Sequence, residues 1–133
     1  MGRTRTRHTT GIVLDTGALI ALERGDKRII ALLQRALTQR RTLRVPAGVV
    51  GQAWRDGRLQ VTLARFLQSE EVEIVPLDEH LARSCGELCA AADLPDVIAA
   101  SVVILARARR DPIITSDPND LRRLDPGAQI ISI

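Results

Sequence analysis

The sequence predicts an α/β fold, a mostly parallel central sheet of about five strands flanked by helices on both faces. Three observations point there. Short apolar runs rich in β-branched residues alternate with longer amphipathic segments along the chain. The first four short runs end at residues that stop or turn the backbone, namely Asp15, Pro46, Pro76 and Ser116-Asp117. No repeat or Gly/Ser-rich linker divides the 133 residues, which suffice for one domain with its own core. Residues 1–10 are expected to form a flexible basic arm and residues 11–133 a single domain.

Ile12 to Asp15 reads as a buried strand, and Thr16 to Glu23 as a helix ended at Gly25-Asp26. Lys27 to Gln39 places Ile29, Ile30, Leu32, Leu33, Ala36 and Leu37 at helical spacing. Thr42 to Val45 is a strand stopped by Pro46, followed by helices at Ala47–Trp54 and Leu59–Leu67. Val72 to Val75 is the third strand. Asp78 caps a helix reaching about Ala92. Pro95 removes a backbone donor and starts a new helix, Val97 to Ala108, too apolar for the surface and too long for a strand. Pro112 to Thr115 and Gln129 to Ile133 are the last strands, with a short helix after Pro118 between them.

Composition narrows the classes. The longest apolar run falls short of the roughly 18 residues of a membrane span, so no membrane segment is expected. No apolar stretch follows the basic N-terminal residues, so a secretory signal is not expected and a cytoplasmic setting is. Cys85 and Cys89, four apart on one helix, read as small core residues rather than a zinc site. The formal charge of +3 rests on arginine, which offers phosphate a bidentate fork. Trp54 and Phe66 are the only aromatics, too few for a generic base-stacking platform.

Phosphate-cradling glycine motifs are absent, and His8 and His80 have no serine or cysteine nucleophile pattern to serve. What remains is acid at strand ends. In a parallel sheet Asp15 and Asp117 fall on the same C-terminal edge, where open α/β sheets bind ligands. Asp93 and Asp96 precede the apolar helix, whose N-terminus favours negative charge. Such carboxylates suit a hard cation, Mg²⁺ or Mn²⁺, which can supply hydroxide for attack on a phosphodiester. Each acid alone is equally explained as a helix cap; Asp120 in particular reads as a capping or solvent-facing residue.

The stretches LDTGALIAL, PAGVVGQAWRDGR, LPDVIAAS and ITSDPNDLRRL together resemble the PIN-domain ribonucleases, in particular the VapC-like toxins of bacterial type II toxin–antitoxin operons. The resemblance spans Ile12 to Ile133. It implies a metal-dependent endoribonuclease toxin in which a quartet of acids holds Mg²⁺ or Mn²⁺ and cuts single-stranded or looped RNA, typically tRNA or rRNA. It further implies a cognate antitoxin laid across the site, and a homodimer or toxin–antitoxin hetero-oligomer.

Carried onto this chain, Asp15 matches the first acid and Asp117 the acid after the last core strand. The second position falls on Gln52, which can orient water or phosphate but brings no charge. The third points to Ala99, with Asp96 one helical turn earlier as its substitute. Asp93 and Asp120 are additional candidates, and Arg55 and Arg58 are candidates for RNA backbone contacts. With two acid positions vacated, metal affinity is expected to fall. The rival reading is therefore a degenerate, weak or inactive PIN-domain protein that acts through antitoxin or RNA binding. A haloacid-type phosphatase would need Asp-x-Asp where Asp15-Thr16-Gly17 stands, and a response-regulator receiver would need a late lysine; Lys27 is the only lysine.

Overall fold

A computed structural model describes residues 10–133. His8 and the arginines expected in the basic arm lie outside the described residues. The elements run β1 (Ile12–Leu14), α1 (Thr16–Glu23), α2 (Lys27–Thr38), β2 (Leu43–Pro46), α3 (Ala47–Ala53), α4 (Val61–Leu67), β3 (Val72–Val75), α5 (Glu79–Ala92), α6 (Val97–Arg109), β4 (Ile113–Thr115), α7 (Pro118–Leu124) and β5 (Ile130–Ser132).

The five strands form one sheet in the order β3-β2-β1-β4-β5, and every pairing is parallel. The chain first steps outward from β1 through β2 to β3, then returns to the other side of β1 for β4 and β5. Right-handed crossovers in opposite directions place the connecting helices on opposite faces. Accordingly α1 packs with α2, α3 and α4, whereas α5, α6 and α7 pack with one another. The result is a three-layer sandwich. The direction of winding reverses between β1 and β4, which opens a crevice at their C-terminal ends.

The core follows the apolar pattern. Val13, Leu14, Ile113 and Ile114 are buried in the two central strands. Helix α6 lies against β1, β2 and β4 and buries Ala99 through Val103, then Leu105 and Ala106. Its small and branched side chains let it sit close to the sheet, which is why this helix is apolar nearly all round. Cys85 and Cys89 are buried thiols of α5, as expected of small core residues. No single helix among the described residues is long and apolar enough to cross a membrane.

Local chemistry sets the boundaries. Gly25 adopts φ +74°, and Asp26 then caps α2 by accepting from the Arg28 and Ile29 amides. Helix α4 begins at Val61, two residues later than the apolar pattern suggests. The Gln60 side chain accepts from the Arg55 and Asp56 amides and holds its own backbone out of the helix. Pro46 closes β2 and also serves as the residue before α3, so strand and helix meet without a loop.

Candidate functional site

Asp15 leaves β1 at the reversal point and caps α1, its Oδ1 accepting from the Thr16 amide at 2.8 Å. Its Oδ2 accepts from the Thr115 hydroxyl at 2.9 Å. That same hydroxyl oxygen accepts the Asp117 amide at 2.9 Å. Thr115, fully buried at the end of β4, thus ties the two strand-end aspartates together across neighbouring strands. Gly17 permits the close approach of the two strand ends. A Cβ there would stand 2.0 Å from the Ser116 Oγ.

Asp96 enters from α6, where its Oδ1 caps the helix through the Ala99 amide at 2.9 Å. Asp117 precedes α7, with its carboxylate beside that of Asp120 in the first turn. Gln52 reaches in from α3, with its Oε1 accepting the Thr16 hydroxyl at 2.5 Å. These residues line one cavity of about 240 Å³: Asp15, Thr16, Gln52, Asp96, Asp117 and Asp120, floored by Ile20, Ala99 and Leu121. Four carboxylates face it, and among the described residues no lysine or arginine does.

The electrostatics follow from that composition. Burial pushes the Asp15 carboxyl above its usual range; the hydrogen bonds from Thr16 and Thr115 oppose the shift, and the charges of Asp96 and Asp117 add to it. Asp117 is raised as well, by partial desolvation first and then by Asp120 and Asp96. The pocket is an uncompensated negative site that favours protons or a cation.

The sequence-predicted residues divide into two groups. Asp15, Gln52, Asp96, Asp117 and Asp120 come together around the cavity, with Ala99 beside Asp96. Asp93 does not join them: it ends α5 in a left-handed conformation at φ 53°, and its carbonyl accepts from Arg123. Arg55 lines the adjoining cavity, whereas Arg58 lies outside both and pairs with Asp56. His80 is exposed on α5, away from the pocket. Sequence reasoning passes over Thr115 and Thr16, which position the acids. Their signal is a hydroxyl residue beside a strand-end aspartate, two before Asp117 and one after Asp15.

The donor set has the right chemistry for Mg²⁺ or Mn²⁺, since it is all oxygen. Its arrangement does not fit. Among the described residues no group of three or more Asp, Glu, His or Cys is placed to hold a metal ion. Hydrogen bonds to both Asp15 oxygens, to one Asp96 oxygen and to the Gln52 oxygen orient these groups and leave each oxygen a further lone pair.

An all-parallel sheet with an acidic pocket at its reversal point defines a class, and a family model confirms it. The model for the PIN domain matches residues 12–126, and the chain belongs to the PIN-domain family. Solved structures share the fold at low identity. A toxin–antitoxin complex from Klebsiella pneumoniae aligns with TM-score 0.70 at 15% identity, covering 92% of this chain and 97% of that one. VapBC2 of Rickettsia felis, bound to a DNA fragment from its promoter, aligns with TM-score 0.65 at 17% identity, covering 92% and 98%. Mycobacterium tuberculosis VapC20, a toxin that cleaves the sarcin–ricin loop, aligns with TM-score 0.63 at 17% identity, covering 83% and 94%. Comparison with the curated proteins finds no match.

Proposed function

We propose that this PIN-domain protein is a toxin-class member with weak or absent nuclease activity, which acts by binding a cognate antitoxin and RNA. The observation that carries the reading is the state of the acid pocket. The carboxylates share one cavity, but no three of them are placed to hold a metal ion, and a neutral glutamine stands among them. A site lacking a closed set of charged ligands binds a divalent ion poorly. The same uncompensated negative charge attracts a cationic side chain of a protein partner. The Klebsiella pneumoniae structure of this fold is a toxin–antitoxin complex, which supports an antitoxin as that partner. A toxin–antitoxin hetero-oligomer, with or without a homodimer at its centre, is the expected assembly, in the cytoplasm.

One observation favours a second reading, a Mg²⁺- or Mn²⁺-dependent endoribonuclease that hydrolyses tRNA or rRNA. Asp15, Asp96 and Asp117 line the same cavity and offer it carboxylate oxygens. Incubating the folded protein with a total small-RNA pool and Mg²⁺ or Mn²⁺ decides between the two. The binding reading expects no more product from the wild type than from Asp15→Ala or Asp117→Ala. Metal-dependent products lost in both variants would overturn it and establish the enzyme. Co-expression with the small protein encoded beside it tests the partner: a stable complex is expected, and separate migration on gel filtration counts against the antitoxin.

A further inference from the structure

We propose that the cavity beside the acid pocket is a phosphate subsite for single-stranded RNA, held by Arg24 and Arg55. The proposal rests on the RNA-binding half of the reading above and assigns it a place. This second cavity, of about 370 Å³, shares Ile20 and Gln52 as walls with the acid pocket. Its charged lining is Glu23, Arg24, Arg55 and Asp56. Formal charge in the lining cancels, but the four groups are not equally free to meet a ligand.

The two acids are occupied. Glu23 accepts from the Gln60 side-chain amide at 2.7 Å, and Asp56 pairs with Arg58 at 3.3 Å, which holds the Asp56 carboxyl below its usual range. The two cations are not. Neither Arg24 nor Arg55 forms an ion pair among the described residues. The Arg55 guanidinium is braced instead by the carbonyls of Gly51 and Trp54 at 3.2 and 2.7 Å. Those bonds use one nitrogen, Nη1, and leave the others to donate outward. Arg24 sits at the end of α1, exposed, across the same cavity.

Beneath them the floor is rigid. Gln60 is buried, and all its side-chain bonds are internal: its oxygen holds the Arg55 and Asp56 amides, and its nitrogen reaches Glu23 and the Ala53 carbonyl. One guanidinium braced on carbonyls and a second, exposed one lining the same cavity suit a polyanion that runs past the acidic pocket. One backbone phosphate rests on Arg24 and Arg55, while the acids keep other phosphates out of their own cavity. The sign change across Gln52 therefore sets the register of the strand. Arg58, paired with Asp56 and outside the cavity, takes no part.

The test is binding of a fluorescein-labelled oligouridylate to the full chain in EDTA, so that cleavage does not enter. Arg24→Gln and Arg55→Gln are each expected to weaken binding about tenfold, the loss of one charge-assisted contact. Each should also flatten the salt dependence by roughly 0.7 in log–log slope, the counterion yield of one single-strand phosphate. Arg55→Lys restores part of the slope, and Arg83→Gln, on α5 and paired with Glu79 outside both cavities, leaves both readouts near wild type. Trp54, the sole tryptophan in a chain without tyrosine, lies between two lining residues and reports the same event by a change in fluorescence. Equal affinity and slope in all three Gln variants overturns the subsite. So does poly-glutamate that binds where the RNA does not, since it assigns the arginines to an acidic protein partner. A nuclease found active in the cleavage assay would sink the weak-enzyme reading and leave this result untouched.

Discussion

The two ends of β1 treat buried charge in opposite ways. At the N-terminal end Asp111 is buried, and its carboxylate is closed on both sides. Oδ1 accepts the Gly11 amide at 2.9 Å, and Oδ2 takes the Arg44 guanidinium at 2.6 Å. Arg44 reaches Glu73 with its other edge at 3.0 Å, so β1, β2, β3 and the start of β4 are joined by one ionic network. At the C-terminal end four aspartates share a cavity that, among the described residues, no arginine lines. The first end is a clamp, whereas the second gathers acid without a described partner. Acid left unpaired in a cleft is what makes the second a candidate functional site, because folding alone favours pairing.

The comparison breaks most visibly at the clamp. Arg44→Ala leaves Asp111 buried without its counter-ion, and the expected loss is about 3–5 kcal/mol in chemical denaturation. A loss under 1 kcal/mol would show that the clamp contributes no more than a surface pair. Gly17→Ala strikes the other end by forcing Ser116 aside, and should cost about 1–3 kcal/mol as overpacking does. Because the displaced groups belong to the acid pocket, that variant should also lose antitoxin affinity on co-purification.

A smaller effect of opposite sign is expected for Asp15→Asn. The folded-state pKa of Asp15 lies above its unfolded value, so the folded chain holds the extra proton between the two. Its stabilising contribution is full below the unfolded pKa and is lost as pH rises through the folded one. Asparagine is free of that loss. The variant should exceed wild type at neutral pH by on the order of 1 kcal/mol, as relieved functional sites do. A pH series of melting curves should show the gap closing in acid; a variant weaker than wild type at neutral pH would erase the contrast between the two ends. The smallest effect is that of Mg²⁺ or Mn²⁺ on wild-type thermal stability. An ion present at no more than its dissociation constant stabilises by at most ~0.4 kcal/mol. Gln52→Glu, which adds a charge to the cavity wall, should enlarge that response in differential scanning fluorimetry.

Much of this was legible in the residues. The element order follows from apolar periodicity punctuated by Asp, Gly and Pro, and the elements found lie within two residues of those expected. The two-residue shift at the start of α4 arises because the Gln60 side chain bonds to amides four and five residues earlier, a local bond that apolar periodicity does not report. The candidate acids were legible too, because parallel strands carry their C-terminal residues to one edge. By residue type Asp93 and Asp96 are alike, and only the resemblance put Asp96 first, with Asp93 as an additional candidate. The structure separates them, because the chain turns left-handed at Asp93, which lies outside the cavity that Asp96 lines.

Local chemistry along the chain settled which segments are strands and helices, which aspartates begin helices, and that acid gathers at one sheet edge. The long-range arrangement settled what the acids do there. Capping is a contact between near neighbours, so Asp15 and Asp96 announce it in sequence. Whether a carboxylate is matched by a cation depends on residues brought from distant strands. Arg44 meets Asp111 that way, and among the described residues no arginine meets Asp15.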